Sequence, residues 1–143
     1  MSIRSTIPGR QSRHQSFTIL VADDDDACRH TVRDLLDREG HHVIEADCGR
    51  RAIEIAKFEA LHLSILDMYM RDLTGIETLR LIGQVRAPLP TIFLTADESK
   101  ELRLEALDAG AFTIILKPVH AEVVKLSVQM LLDRYYRNTE RRE

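Results

Sequence analysis

The sequence predicts an α/β fold, a doubly wound parallel sheet, and three observations carry that expectation. Five short apolar, β-branched runs alternate with five stretches of helical periodicity. Glycine or proline punctuates several of the junctions, and no internal repeat or low-complexity segment competes with this pattern. Such alternation calls for a parallel sheet covered on both faces, because each right-handed crossover lays a helix on the sheet.

The elements follow in order. Residues 17–22 form a continuous apolar run bounded by acids, the mark of a strand buried on both faces. Asp26 is placed to cap a helix in which Cys28, Thr31, Val32, Leu35 and Leu36 recur at spacings of three and four, and Gly40 is placed to stop it. A strand at 42–46, a helix around 50–58, a strand at 61–66 and a helix around 75–84 come next. Pro90 leads into a strand at 91–94, a helix follows around 99–109, and Gly110 ends it before a strand at 112–116. The last helix starts near Ala121, with Val124, Val128, Leu131 and Tyr135 as its buried stripe.

The chain has 143 residues, 44% hydrophobic and 30% charged, which fits one globular domain with a real core. Residues 1–16 lack apolar periodicity and read as a flexible tail, 17–136 as the domain and 137–143 as a C-terminal tail. No apolar run approaches a membrane span, and none of signal-peptide length precedes Phe17, so the expected location is the cytoplasm. Cys28 and Cys48 are too few for a disulfide framework and are read as reduced packing residues. A net charge of -3 gives no reason to expect direct nucleic-acid binding.

Ligands of such sheets lie beyond the carboxyl ends of the strands, where strand order reverses. The first strand runs into Asp23, Asp24, Asp25 and Asp26, and the third ends in Asp67. Two unit charges about 4 Å apart repel by roughly 4 kcal/mol at an effective dielectric of about 20, so acids gathered in one crevice need a cation or a proton. Magnesium, a hard ion that takes one or two carboxylates plus waters and phosphate oxygens, suits a site shared with a phosphoryl group. Calcium fits less well, since an EF-hand loop needs a glycine and a final Glu that the stretch from Asp23 lacks. Asp25 and Asp26 need no role beyond a helix start. The fourth strand ends in Thr95 and the fifth in Lys117, a hydroxyl and a cation suited to phosphoryl oxygens, with Asp67 as the nucleophile.

From residue 17 to about residue 136 the sequence resembles the receiver domains of two-component response regulators. The resemblance is carried by Leu20-Val21-Ala22-Asp23-Asp24, by Leu66-Asp67-Met68-Tyr69-Met70 with Gly75 eight positions after the aspartate, by Leu94-Thr95-Ala96, and by Gly110-Ala111 followed by Lys117-Pro118. It implies a flavodoxin-like sheet of order 2-1-3-4-5 and a cis Lys117-Pro118 bond. It also implies that Asp67 takes a phosphoryl group from a phosphohistidine of a sensor histidine kinase or a histidine phosphotransfer protein. Asp24, Asp67 and the backbone carbonyl of Tyr69 would hold Mg2+, with Asp23 helping through water, and Thr95 and Lys117 would take phosphoryl oxygens. Such a protein catalyses only its own phosphorylation and dephosphorylation and acts on a downstream protein target, here unknown.

Three positions depart from the family pattern. Arg71 replaces a common proline and leaves the loop looser, with a solvated side chain. Ile114 stands where many receivers carry Tyr or Phe, which predicts a weak switch. Tyr69 is bulky beside the path of the hydrolytic water. Because only residues 137–143 follow the domain, the expectation is a stand-alone receiver that acts by docking; a receiver fragment of a longer regulator and a phosphorylation-independent pseudo-receiver are the alternatives. A haloacid dehalogenase-type phosphatase is set aside, since it wants a second aspartate where Tyr69 stands.

Overall fold

The computed structural model describes residues 15–137, so most of both expected tails lies outside the described residues. The order is β1 (Thr18–Ala22), α1 (Asp26–Arg38), β2 (His42–Ala46), α2 (Gly49–Phe58), β3 (Leu63–Asp67), α3 (Gly75–Val85), β4 (Thr91–Thr95), α4 (Lys100–Asp108), β5 (Thr113–Leu116) and α5 (Ala121–Leu132), then a π-helical turn, Asp133–Arg137. Every strand pair is parallel, in the order β2-β1-β3-β4-β5 expected of the resemblance. No helix among the described residues is long and apolar enough to cross a membrane.

Alternation along the strands divides the core in two. Ile19, Val21, Ile65, Ile92 and Leu94 face α1 and α5, where Val32, Leu36, Val128 and Leu131 meet them. Leu20, Ala22, Leu66 and Phe93 face the other way, onto Ala52 and Ile55 of α2, Ile76 and Ile82 of α3, and Ala106 of α4. A fully buried Leu, Ile or Phe contributes about 1.5–3 kcal/mol, so the central strands β1, β3 and β4 are the most firmly held. That fixes the ends of those strands, where Asp23, Asp67 and Thr95 stand.

Two helix phases differ from the sequence expectation. The cap of α1 is Asp25, whose side chain accepts the N–H groups of Ala27 and Cys28, and not Asp26. Arg29 occupies the buried stripe, its guanidinium bonded to the Asp23 carbonyl and Glu45 and paired with Asp26, while Thr31 is exposed and Cys28 is half-buried. At the other end Tyr135 is exposed and Tyr136 turns inward. The π-helical turn spends an extra residue and so moves the stripe by one position. Gly40 and Gly110 end α1 and α4 at φ of 90° and 104°, as their positions suggested.

At the end of the sheet far from the acids, Phe17 N–H donates to His41 Nδ1 at 3.2 Å and Thr18 N–H donates to His62 Nδ1 at 3.0 Å. The Tyr136 hydroxyl donates to the His62 carbonyl at 2.6 Å, and the Phe17 ring lies against both histidines and Tyr136. Each Nδ1 must be unprotonated to accept. Burial, with Arg86 nearby, holds His62 below the ordinary histidine range. A depressed histidine binds fewer protons folded than unfolded, so its contribution is present above the unfolded value of about 6.5 and is lost as pH falls. The stability advantage of wild type over His62→Gln, read from urea unfolding, is therefore expected to shrink between about pH 7.5 and about pH 5.5. An advantage that stays constant or grows on acidification would contradict it.

Candidate functional site

Sheet register brings the expected residues together. Ala22 stands opposite Leu66 in the β1–β3 pair, so Asp23 and Asp67, the next residue of each chain segment, lie side by side where strand order reverses. Thr95 stands opposite Leu116, and Lys117 follows, its N–H bonded to the Thr95 carbonyl at 2.8 Å. The Lys117 side chain extends over the strand ends and places Nζ 3.1 Å from Asp23 Oδ2 and 3.1 Å from Asp67 Oδ1. Asp23, Asp24 and Asp67 each offer a carboxylate oxygen within 4.8 Å of the others. The Lys117-Pro118 bond is cis.

Burial sharpens the electrostatics. Asp23 is wholly buried and Asp67 is 5% exposed. Burial, reinforced by the Asp23 charge, pushes the Asp67 carboxyl up to about 6 against the pull of Lys117. Burial also works against the Lys117 charge, but Asp23 and Asp67 outweigh it and hold the ammonium above its usual value. Asp23 Oδ2 is sealed from solvent and accepts no well-aligned hydrogen bond; the Lys117 charge faces it instead. A buried oxygen lacking a directional partner, with two more carboxylates in reach and no nitrogen or sulfur donor in the set, fits a hard divalent cation such as magnesium. Burial together with Asp23 pushes the nearby Cys28 thiol up to about 12, which suits an unreactive packing residue.

The surrounding backbone is held at several points. Arg29, 9% exposed, donates from Nη1 to the Asp23 carbonyl at 2.7 Å and from Nε to Glu45 at 2.9 Å, and pairs with Asp26. The N–H of Asp25 donates to Asp23 Oδ1 at 2.9 Å. Gly75 donates to the Met68 carbonyl at 2.7 Å, and a Cβ there would lie 2.7 Å from the Asp67 carbonyl oxygen, so only glycine lets α3 start this close to β3. A capping box between Thr74 and Glu77 fixes that start. Thr95, 1% exposed, accepts the Asp97 N–H on Oγ1 at 3.0 Å, which leaves its own proton to donate. Tyr69 borders the site in the loop after β3; its side chain is 52% exposed and its hydroxyl donates to Asp97 Oδ2 at 3.0 Å.

The loop at residue 71 differs from expectation. The Arg71 side chain is exposed, as expected, but the loop is not left loose, because the Arg71 N–H donates to Asp24 Oδ2 at 3.0 Å. Asp72 accepts from the N–H groups of Gly49 and Arg50 at 2.9 and 2.8 Å, and so caps α2 from across the fold. Ile114 is half-buried and packs on the core shared with Phe93 and Ala106. Arg29, Asp72 and Asp97 were not read from the sequence. Only Arg29 left a trace there, at helical spacing from Val32 and Leu36.

The site carries more carboxylates than cations, and this predicts two opposite responses in metal-free protein at about pH 7.5. Asp67→Asn should raise the unfolding free energy by about 1–3 kcal/mol, since it removes a carboxylate held well above its ordinary range. Lys117→Met should lower it, since Asp23 and Asp67 then face each other unopposed. Urea unfolding checks both, and an Asp67→Asn protein less stable than wild type would refute the crowding.

Residues 19–129 match the family described as the response regulator receiver domain. Among curated relatives, the chain is 35% identical over 116 residues to the response regulator MprA of Mycolicibacterium vanbaalenii, covering 81% of this chain and 50% of that protein. It is 31% identical over 119 residues to the transcriptional regulatory protein ZraR of Escherichia coli, covering 83% of this chain and 27% of that one. The chain thus spans between about a quarter and a half of these relatives. Among solved structures, a CheY-like receiver domain protein from Methanospirillum hungatei superposes with a TM-score of 0.79 at 28% identity, covering 84% of this chain and 96% of that one. The chemotaxis protein CheY4 of Vibrio cholerae superposes with a TM-score of 0.77 at 27% identity, covering 82% and 100%. With its sheet order, its strand-end acids and its lysine already matching that pattern, the chain belongs to the receiver domain family of two-component response regulators.

Proposed function

We propose that this receiver is switched by phosphorylation of Asp67, in the cytoplasm, with magnesium bound beside it. The observation that carries this reading is the placement of Lys117 Nζ 3.1 Å from both Asp23 and Asp67 at the switch point of the sheet. The donor is a phosphohistidine of a sensor histidine kinase or a histidine phosphotransfer protein. An Asp67 carboxylate oxygen attacks phosphorus, the phosphorus–nitrogen bond breaks, and the leaving imidazole takes up a proton. Lys117 and the Thr95 hydroxyl meet the phosphoryl oxygens, whose charge is spread in the transition state. Asp24, Asp67 and the Tyr69 carbonyl would hold the ion, with Asp23 reached through water. When bound, magnesium supplies charge neutralisation of the carboxylates and of the incoming phosphoryl group.

Phosphorylation adds roughly -1.5 to -2 charges, which draws Thr95 and Lys117 inward and moves the loops after β4 and β5. The target protein docks on the face of α4, β5 and α5, where Leu104, Leu107, Leu116, Val123, Leu126 and Met130 are exposed. Ile114 cannot refill a pocket as an aromatic ring could, so the switch is weak. No part of this requires nucleic-acid contact or any substrate beyond the phosphoryl donor.

Mass spectrometry after incubation with acetyl phosphate and magnesium tests the reading. Wild type should gain one phosphoryl group, and both Asp67→Asn and wild type in excess chelator should gain none. Full labelling of the Asn variant would remove Asp67 from its role, and full labelling in chelator would remove the metal.

A further inference from the structure

We infer that the backbone N–H of Arg71 positions Asp24 for the metal, stitching together the two chain segments that carry the ligands. The inference rests on the metal reading above. Asp24 lies just past β1, and Tyr69, the other segment's expected ligand, lies in the loop between β3 and α3. The Arg71 N–H donates to Asp24 Oδ2 at 3.0 Å and closes that gap. A carboxylate has room for this bond and a cation together, since each oxygen accepts more than once. A fixed donor to a ligating carboxylate sets its direction before the ion arrives, the usual role of outer partners at metal sites.

The loop is itself held in place on its far side. Asp72 accepts the Gly49 and Arg50 N–H groups at 2.9 and 2.8 Å, and several backbone N–H groups hold its carboxyl below the usual range despite some burial. Tyr69 pairs with Thr74 across the loop as an isolated antiparallel bridge. Arg71 therefore donates from a loop that is also held elsewhere, and the bond directs Asp24 as well as securing the loop. A proline at this position could make no such bond, because it has no N–H. Here a hydrogen bond does the work that a fixed φ would do.

Two measurements test this together. In metal-free protein, amide hydrogen exchange at Arg71 should be protected, Asp24→Ala should lose at least about tenfold of that protection, and magnesium should not release it. In calorimetric titrations with magnesium, Arg71→Pro should bind about tenfold more weakly than wild type, while Arg71→Ala, which keeps the N–H, should stay within about twofold. An Arg71→Pro protein that binds as tightly as wild type, or an Arg71→Ala protein that weakens equally, would overturn the inference. Should the proline variant not fold, the exchange comparison decides alone, and an Arg71 amide unprotected in wild type sinks the proposal. If wild type binds no magnesium, the metal reading falls and the positioning role falls with it, whereas failure of the variants alone leaves the metal reading standing.

Discussion

Lys117 Nζ sits 3.1 Å from an oxygen of Asp23 and 3.1 Å from one of Asp67, and the ends of β1, β3 and β5 are bound to one another through that ammonium. At an effective dielectric of about 20, each attraction is worth about 5 kcal/mol, while carboxylate oxygens that lie within 4.8 Å of one another repel by at least about 3 kcal/mol per pair. Two attractions therefore do no more than offset three repulsions. The crevice is thus held at balance by one lysine, with burial opposing every charge in it. A second cation tips that balance strongly, and so does a change in the charge on Asp67.

The rest of the fold serves to keep those charges in place. Parallel register delivers Asp23 beside Asp67 and Lys117 beyond Thr95, and the buried central strands hold that register against the repulsion. Arg29 grips the Asp23 carbonyl, and Gly75 lets α3 begin against the Asp67 carbonyl. Asp24 is the least constrained of the three acids, being partly exposed, and it is the one tied to the loop by the Arg71 N–H. The loops beside the charge cluster are tied to each other as well: Tyr69 to Asp97 bridges the loops after β3 and β4, and the Thr95 hydroxyl is bonded to the second of these.

Much of this was legible in the sequence, for a physical reason. Strands buried on both faces read as apolar runs that stop abruptly, and residues 19–22, 63–66 and 91–94 are each followed by a polar residue, Asp23, Asp67 and Thr95, at the end of the sheet where the acids gather. Asp67, Thr95 and the acids after Ala22 could be found that way, and Lys117 by its place after the fifth run. Helix phase was harder. A long side chain such as Arg29 can be buried along its stem while its head finds carboxylates, so its polarity does not mark it as part of the inward stripe. The π-helical turn shifted the inward face from Tyr135 to Tyr136, which a regular period cannot anticipate. Backbone donors were invisible, because every residue except proline carries one. Nothing in the letters around Arg71 marks its N–H as the one that meets Asp24, and the Asp72 cap on α2 joins positions more than twenty residues apart.

If the clustered carboxylates bind a cation, folding and magnesium binding must be linked. Urea unfolding of metal-free wild type with rising magnesium measures that linkage directly. Once magnesium exceeds its dissociation constant, the unfolding free energy should rise by about 1.4 kcal/mol for each tenfold increase, and the rise should vanish in a double variant carrying Asp24→Asn and Asp67→Asn. A wild type whose stability ignores magnesium, or a double variant that gains as much, would contradict the view that these three carboxylates form a cation site.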